Sequence, residues 1–179
     1  QPTLNDLERL ARKAGEMIRA GYGNAHHIDA KSASIDIVTE VDKDVEAYLV
    51  GEVRQDYPRH SIVAEEGSGS AGDEDGDWYI DPIDGTTNFA HGLPLFSVSI
   101  AWALGGQVQL GMVYNPVLDE LFAAQRGAGA TLNGDPIHCT QETELHRSLL
   151  VTGFPYDRFT NPRNNLKQFN HMALALIHI

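Results

Sequence analysis

Two aspartates close an apolar segment in the stretch DPIDGTTNFAHG, and a glycine and two threonines follow directly. Asp81 and Asp84 stand three residues apart, with a proline between them. Glu65 and Glu66 end a second apolar segment, SIVA, in the same way. Because strand ends that lead into turns are common positions for functional side chains, we expect these acids to form a site.

If the two segments are neighbouring strands, three or four carboxylates converge, and they repel one another unless cations lie among them. All-oxygen ligands favour Mg²⁺, with Mn²⁺ as the alternative, and no Cys/His pair has zinc spacing. Gly85 and Thr86 form a turn whose backbone N–H groups can bind an anion. A capped turn, with Asp84 or Thr86 as the cap, would have the same residues, and both interpretations can hold. Cations beside an anion site are the arrangement used for phosphoryl transfer.

Composition limits the function classes. The formal net charge of −12 argues against a nucleic-acid-binding surface, which needs basic patches. An apolar content of 42% is sufficient for a core. The single cysteine, Cys139, excludes an internal disulfide. No stretch approaches the roughly 20 apolar residues of a membrane span, and the N-terminus lacks the apolar core of a signal peptide. We therefore expect a cytoplasmic protein with no membrane segment.

Helical spacing of apolar residues predicts two N-terminal helices. The first covers TLNDLERLARKAGEMIRAGY with Thr3 as its cap, and the second covers VDKDVEAYLVGEVRQDYP and ends at Pro58. KSASIDIVTEVD, between them, is expected to be a strand or an extended loop. The next segments read as strands separated by turns: SIVAEEG, DWYIDP, FSVSIAWAL, QVQLGMVYNP and ELFAAQRG.

The last part of the chain predicts a further strand, LLVTGFP, and a helix in NPRNNLKQFNHMALALIHI. Asn161 is the expected cap of that helix, with Pro162 at its first position. The order of elements indicates an α+β region, residues 1–147, that leads into an α/β region, residues 148–179. The strands FSVSIAWAL and LGMVY are apolar enough to be buried on both faces.

Several segments, taken together, resemble one family. VTEVDKDVE, SIVAEEG, DPIDGTTNFAHGLPLFSVSIA, GMVYNPVLDELFAAQRGAGATLNG and TGFPYDR occur in the order and spacing of the inositol monophosphatase family of lithium-sensitive, magnesium-dependent phosphatases. The similarity runs to about Met172 and is strongest to bacterial inositol-1-monophosphatases. The resemblance implies a layered α-β-α-β-α sandwich, as in fructose-1,6-bisphosphatase, and two or three Mg²⁺ ions in each site.

The resemblance also implies ligand roles. Glu65 would bind the first metal, and Asp81 would bridge the first and the second. The backbone carbonyl of Ile83 would bind the first metal, and Asp84 the second.

The catalytic roles implied by the resemblance fall on a further pair of residues. Asp42 and Thr86 would orient and deprotonate the attacking water, and the backbone at Gly85 and Thr86 would hold the phosphate. Lys31 would lie in a loop that closes over the site. The implied phosphate contacts are Glu65, Ile83, Asp84, Gly85 and Thr86.

A second family signature, W-D-x-A-A-G, does not occur in the sequence. Its aspartate completes the second metal site in the family, and residues near it contact the sugar or cyclitol. We therefore expect most of the C-terminal half of the fold to be missing and the 179 residues alone to be poorly active.

The leading function is hydrolysis of myo-inositol 1-phosphate by metal-activated water. Fructose-1,6-bisphosphate, NADP and histidinol phosphate remain alternative substrates, because the residues that select the leaving group are not in the sequence. Thr87 and Asn88 disfavour a nucleoside 3′,5′-bisphosphate phosphatase, which usually has Lys-Glu there. A protein-binding role in the transcription machinery is the second class. The resemblance also implies a homodimer, with a small phosphorylated substrate and without direct nucleic-acid binding.

Overall fold

The structure, a computed structural model, describes residues 1–23, 28–30, 37–72, 76–155 and 157–175, and the side chains of 28–30, 37–39 and 173–175 are not part of that description. The predicted loop residue Lys31 lies outside the described residues. The chain divides into two compact units. One takes in Gln1–Asp29 and Ile37–His138, and Cys139 begins the main part of the other.

The two predicted N-terminal helices are confirmed. Helix α1 spans Leu4–Gly21 and begins with a capping box, in which Thr3 Oγ1 accepts from the Asp6 N–H at 3.3 Å and Asp6 accepts from the Thr3 N–H at 2.8 Å. Helix α2 spans Glu40–Asp56 and lies beside α1. The apolar residues that repeat along the two helices are buried: Leu7, Leu10, Ala14, Ile18, Val45, Leu49 and Val53.

A seven-stranded sheet forms the centre of the first unit. Its strands follow one another in chain order, and only the first pair is parallel. They are β3 (Ser61–Ala64), β4 (Asp77–Asp84), β5 (Ser97–Leu104), β6 (Gln107–Asn115), β7 (Glu120–Gln125), β8 (Gly129–Leu132) and β9 (Asp135–Ile137). Two short strands, β1 (Ile28–Ala30) and β2 (Ile37–Thr39), form a separate pair. All five strands predicted after Pro58 are present.

One face of the sheet packs against α1 and α2. Trp78, Val98 and Trp102 are buried on that face, while Tyr79, Val113 and Phe122 are exposed. Within the described residues, the two helices cover one side of β5 and β6 only, because the strands alternate between the sides. Burial of both faces, which needs a partner on the other side, stays a prediction.

Two predictions for the second unit are wrong. Leu149–Pro155 is not a strand, and Val151 is fully exposed, because apolar β-branched residues form a strand only when another strand pairs with them. After a short 3₁₀ turn at Leu145–Arg147, helix α4 spans Leu166–Ala175 and is not capped by Asn161. Asn165 has φ 64°, which lies outside the helical region, so the helix begins one residue later. None of the described helices combines the length and apolar character of a membrane span.

Candidate active site

The parallel pairing of β3 with β4 brings two of the predicted acids side by side. Ala64 pairs with Ile80, and the Glu65 N–H donates to the Ile80 carbonyl at 3.2 Å. The next residue on each strand is an acid, Glu65 on one and Asp81 on the other. Because parallel strands end at the same edge of a sheet, both carboxyls lie at that edge.

A β-bulge determines the direction of the next acid. Asp81 pairs with Ser99 and Asp84 pairs with Ser97, so β4 has one more residue than β5 in this interval. Pro82, which lacks an N–H, lies within the bulge. In a regular strand, residues three apart face opposite sides, but directly paired residues share a side. The bulge therefore turns Asp81 and Asp84 to the same side of the sheet.

Asp81 has the most perturbed proton affinity in the site. The pKa of Asp81 is raised from 3.8 to about 8, chiefly by burial and next by a hydrogen bond with Glu65. The negative charges of Glu65, Asp84 and Asp42 contribute the rest of this rise. Its Oδ1 atom is buried and has no hydrogen-bond partner among the described residues. These four residues, Asp42, Glu65, Asp81 and Asp84, are called the carboxylate cluster below.

The chemistry of the carboxylate cluster fits a hard divalent cation. Every donor is an oxygen, as Mg²⁺ prefers, and the buried Oδ1 of Asp81 needs a positive partner. Within the described ranges, no three acidic, histidine or cysteine side chains are already arranged as ligands of one ion. Glu65 and Asp81 instead share a hydrogen bond, which requires a proton between two carboxyls. A divalent cation would replace that proton.

Asp42 and Thr86 form a second contact beside the cluster. Asp42 lies in the first turn of α2, and Thr86 begins the short helix α3 (Thr86–Ala90). Thr86 Oγ1 lies 3.1 Å from Asp42 Oδ1 and 3.0 Å from the Ile83 carbonyl oxygen, and its single proton is donated to one of them at a time. When Thr86 donates to Asp42, the lone pairs of its oxygen can accept a hydrogen bond from water.

Gly85 makes the turn that joins β4 to α3. Its backbone is left-handed, with φ 95° and ψ 36°. A Cβ atom at this position would lie 3.1 Å from the Leu95 carbonyl oxygen and 3.3 Å from Phe96 Cβ. Glycine is required here for both reasons. The turn keeps Thr86 within reach of Asp42.

Sequence reasoning missed one residue near the site, Glu46. It lies one turn after Asp42 on α2 and is buried. The sequence contained a signal for Glu46, because it lies four residues after the candidate Asp42 and residues four apart share one face of a helix. The apolar pattern of α2 drew attention to its valines and leucine instead.

A model of the inositol monophosphatase family matches residues 1–177. The chain belongs to the inositol monophosphatase family. The resemblance carried by DPIDGTTNF and the other segments is thereby confirmed over nearly the whole chain.

Members of the family from several bacteria are similar in sequence and fold. Nus factor SuhB of Vibrio cholerae is 43% identical over 173 residues, which cover 96% of this chain and 65% of that protein. The crystal structure of extragenic suppressor protein suhB from Bartonella henselae has a TM-score of 0.88 and 31% identity, and covers 97% of this chain and 67% of that one. Inositol monophosphatase from Anabaena has a TM-score of 0.81 and 40% identity, with coverages of 94% and 61%.

These neighbours confirm the predicted fold class, an α+β layered sandwich of the inositol monophosphatase type. The chain spans 59 to 65% of the length of the curated relatives it matches, which is less than two thirds.

Proposed function

We propose that this chain carries the metal-binding and phosphate-binding residues of a Mg²⁺-dependent phosphatase that hydrolyses small phosphate monoesters. The observation that carries the proposal is Asp81, a half-buried residue whose Oδ1 atom is buried without a hydrogen-bond partner in the described chain and whose pKa is raised to about 8 by burial and by the acids around it. Such a cluster is unfavourable unless positive charge binds to it, and perturbed carboxyls of this kind concentrate at functional sites.

The cations would be held by Glu65, Asp81, Asp84 and the Ile83 carbonyl. Two or three Mg²⁺ ions are proposed, and Mn²⁺ fits the same oxygen donors. When bound, the ions would stabilise charge on the phosphate oxygens and lower the pKa of the attacking water.

Asp42 and Thr86 supply the proton acceptor of the proposed reaction. Thr86 Oγ1 would accept a proton from the attacking water while its own proton passes to Asp42, to which it is already close at 3.1 Å. The two residues would also orient the water, because Thr86 is held by α3 and Asp42 is buried on α2. The backbone at Gly85 and Thr86 would contact the phosphate.

The substrate proposed first is myo-inositol 1-phosphate. A structural neighbour that is 27% identical was solved with inositol monophosphate bound, and its TM-score is 0.72. Another, described as an IMPase/NADP phosphatase and 25% identical, was solved with NADP and Ca²⁺. NADP, fructose 1,6-bisphosphate and histidinol phosphate therefore belong in the same assay.

The decisive experiment is Asp81→Asn in the full-length protein. We expect phosphate release from myo-inositol 1-phosphate to fall by 10³-fold or more, because losing a cation from the reacting phosphate removes several kcal/mol of stabilisation and each 1.36 kcal/mol is about tenfold in rate. The variant should remain folded, since asparagine has nearly the same shape. Titration with Mg²⁺ and with Mn²⁺ measures cation affinity in parallel.

The matched control is Asp119→Asn, which changes an exposed aspartate whose partners are Tyr114 and Arg12, far along the chain from the cluster. It should keep normal turnover. Near-normal turnover of Asp81→Asn at saturating Mg²⁺ would contradict the assignment of the site.

A second candidate function is protein binding in the transcription machinery. The observation that favours it is the name Nus factor SuhB, which several relatives at 43 to 45% identity carry. Affinity capture with wild type and Asp84→Asn, with and without Mg²⁺, separates the two functions. A partner retained by both forms at equal strength supports a scaffold role that does not depend on the site.

We also propose that the protein forms a homodimer, as the family resemblance implies. Sedimentation equilibrium at micromolar concentrations tests this proposal directly. A single species of monomer mass across that range would contradict it.

A further inference from the structure

Glu46 is a buried acid that the proposed ligand and proton-acceptor roles do not use. It is 2% exposed, and Asp42, one helical turn earlier on α2, is 1% exposed. Among the residues that the structure describes, no other charged residue is buried to this degree. A buried carboxylate is unfavourable unless hydrogen bonds compensate for the lost water.

Those hydrogen bonds come from the turn that follows β3, here called the Glu66–Ser68 turn. Glu46 Oε2 accepts from the backbone N–H of Glu66 at 2.6 Å. Its Oε1 accepts from the backbone N–H of Ser68 at 3.0 Å and from the Ser68 hydroxyl at 2.6 Å. Three donors therefore converge on one carboxylate, and hydrogen bonds to an ionised acceptor are stronger than neutral ones.

A second residue of α2 holds the same turn from its carbonyl side. Arg54, two helical turns after Glu46, donates to the Ser68 carbonyl oxygen at 2.8 Å. Helix α2 thus binds both the N–H groups and a carbonyl of the Glu66–Ser68 turn. The helix that carries Asp42 also determines where this turn lies.

The backbone of Glu65 is fixed on both sides as a result. Its own N–H donates to the Ile80 carbonyl at 3.2 Å, within the register that pairs β3 with β4. The next peptide N–H, that of Glu66, donates to Glu46. The two peptide planes that flank the Glu65 Cα are therefore held, and the Glu65 side chain begins from a defined position beside Asp81.

We propose that Glu46 is a positioning residue that places the Glu65 carboxyl relative to Asp81 and so determines the cation affinity of the site. The inference rests on the proposed function of the carboxylate cluster. A carboxylate suits this role because it only accepts hydrogen bonds, whereas a glutamine amide would turn an NH₂ group toward one of the N–H donors. Mutation of a residue that orients a metal ligand, without binding the metal itself, commonly lowers metal affinity by about 10- to 100-fold.

The test is Glu46→Gln in the full-length protein, with two readouts. In cation-free buffer, amide hydrogen exchange measured by NMR should become about tenfold faster or more at Glu66 or at Ser68, whichever N–H faces the NH₂ group and so loses its acceptor. The Kd for Mn²⁺, measured from the free ion by electron paramagnetic resonance, should rise by about tenfold.

The matched control is Val53→Ala, which removes buried apolar contact from the same helix and leaves the hydrogen bonds from Glu46 and Arg54 to the Glu66–Ser68 turn in place. It should lower overall stability and leave the Kd for Mn²⁺ unchanged, a result that separates positioning from a general structural role. Ser68→Ala removes one of the three donors and keeps both backbone donors. Ser68→Ala should raise the Kd for Mn²⁺ by roughly threefold. It replaces Glu46→Gln as the test if that variant does not fold.

The outcomes are distinguishable. Wild-type protein that binds no Mn²⁺ overturns the proposed function, and the inference with it. Wild-type binding with an unchanged Kd in folded Glu46→Gln, or in Ser68→Ala, overturns only the role of Glu46. Equal losses of affinity in Glu46→Gln and Val53→Ala would reduce that role to packing.

Discussion

At the scale of single residues, Asp81 differs from a surface aspartate because one of its carboxyl oxygens, Oδ1, is buried without a hydrogen-bond partner among the described residues. The charges that act on this carboxyl, those of Glu65, Asp84 and Asp42, are all negative. Neutralisation by a proton or a cation is the physical consequence. Proton and cation therefore compete for the same carboxyl, and the affinity for Mg²⁺ should increase as the pH rises toward about 8.

The raised pKa of Asp81 predicts that cation-free protein loses stability as the pH rises from about 4 to about 8. Between the unfolded value of 3.8 and the folded value of about 8, the folded state binds a proton that the unfolded chain does not. The free energy of unfolding therefore falls through this window and levels off above it. Urea unfolding at several pH values measures the slope.

Asp81→Asn is the control for that titration, because an amide has no proton to lose in this range. The unfolding free energy of the variant relative to wild type should increase with pH across the same window. Parallel curves for the two proteins would show that Asp81 titrates normally in the folded state.

Replacement of Thr86 should affect turnover and Mg²⁺ affinity differently from replacement of Asp81. Thr86→Ala should lower the turnover number by on the order of 10²-fold with little change in Mg²⁺ affinity, because proton transfer through a positioned group contributes about that much. Thr86→Ser keeps the hydroxyl that lies 3.1 Å from Asp42 and should retain most of the rate. An equal fall in Mg²⁺ affinity would make Thr86 a structural residue.

At the scale of elements, the connection from β4 to α3 is the most constrained part of the site. Gly85→Ala should lower the free energy of unfolding by about 1–3 kcal/mol, because alanine is strained at φ 95° and its Cβ would press on the Leu95 carbonyl. Chemical unfolding measures the loss. Turnover should fall as well if the shift displaces Thr86.

Gly51→Ala is the matched control for this prediction. Gly51 lies inside α2, and nothing lies within 4 Å of a Cβ atom built there. Alanine is favoured over glycine inside a helix by roughly 0.5–1 kcal/mol, so this variant should be slightly more stable than wild type. Equal effects at the two positions would contradict the strain argument.

At the scale of the whole molecule, cation binding should raise the free energy of unfolding. A net charge of −12 makes the folded chain repel itself, and the carboxylate cluster concentrates part of that charge. At Mg²⁺ concentrations about 100 times the Kd, the free energy of unfolding should rise by about 2.7 kcal/mol. Thermal or urea unfolding with and without Mg²⁺ measures the change.

General screening by salt must be separated from that effect. NaCl at equal ionic strength weakens the same repulsion without occupying the site, and it should give a smaller increase. Asp81→Asn should respond to Mg²⁺ no more than to NaCl. A full Mg²⁺ response in this variant would place the bound cation away from the carboxylate cluster.

Local sequence patterns were sufficient to predict the helices and strands of the first unit. Apolar residues at helical spacing and the Thr3 cap predicted α1, and alternating apolar segments predicted β3 to β7. These signals are local, because side-chain periodicity and capping depend on residues a few positions apart. The sequence also placed candidate acids at two strand ends, and the family segments assigned the chain to its family before any geometry was known.

The arrangement of those acids in space depends on contacts between distant parts of the chain. The parallel register that sets Glu65 beside Asp81, the bulge that turns Asp84 to the same side and the hydrogen bonds of Glu46 all join residues distant in sequence. For the same reason LLVTGFP, strand-like in composition, forms no strand in the described chain. A strand and a site both require partners, and local sequence patterns do not specify partners.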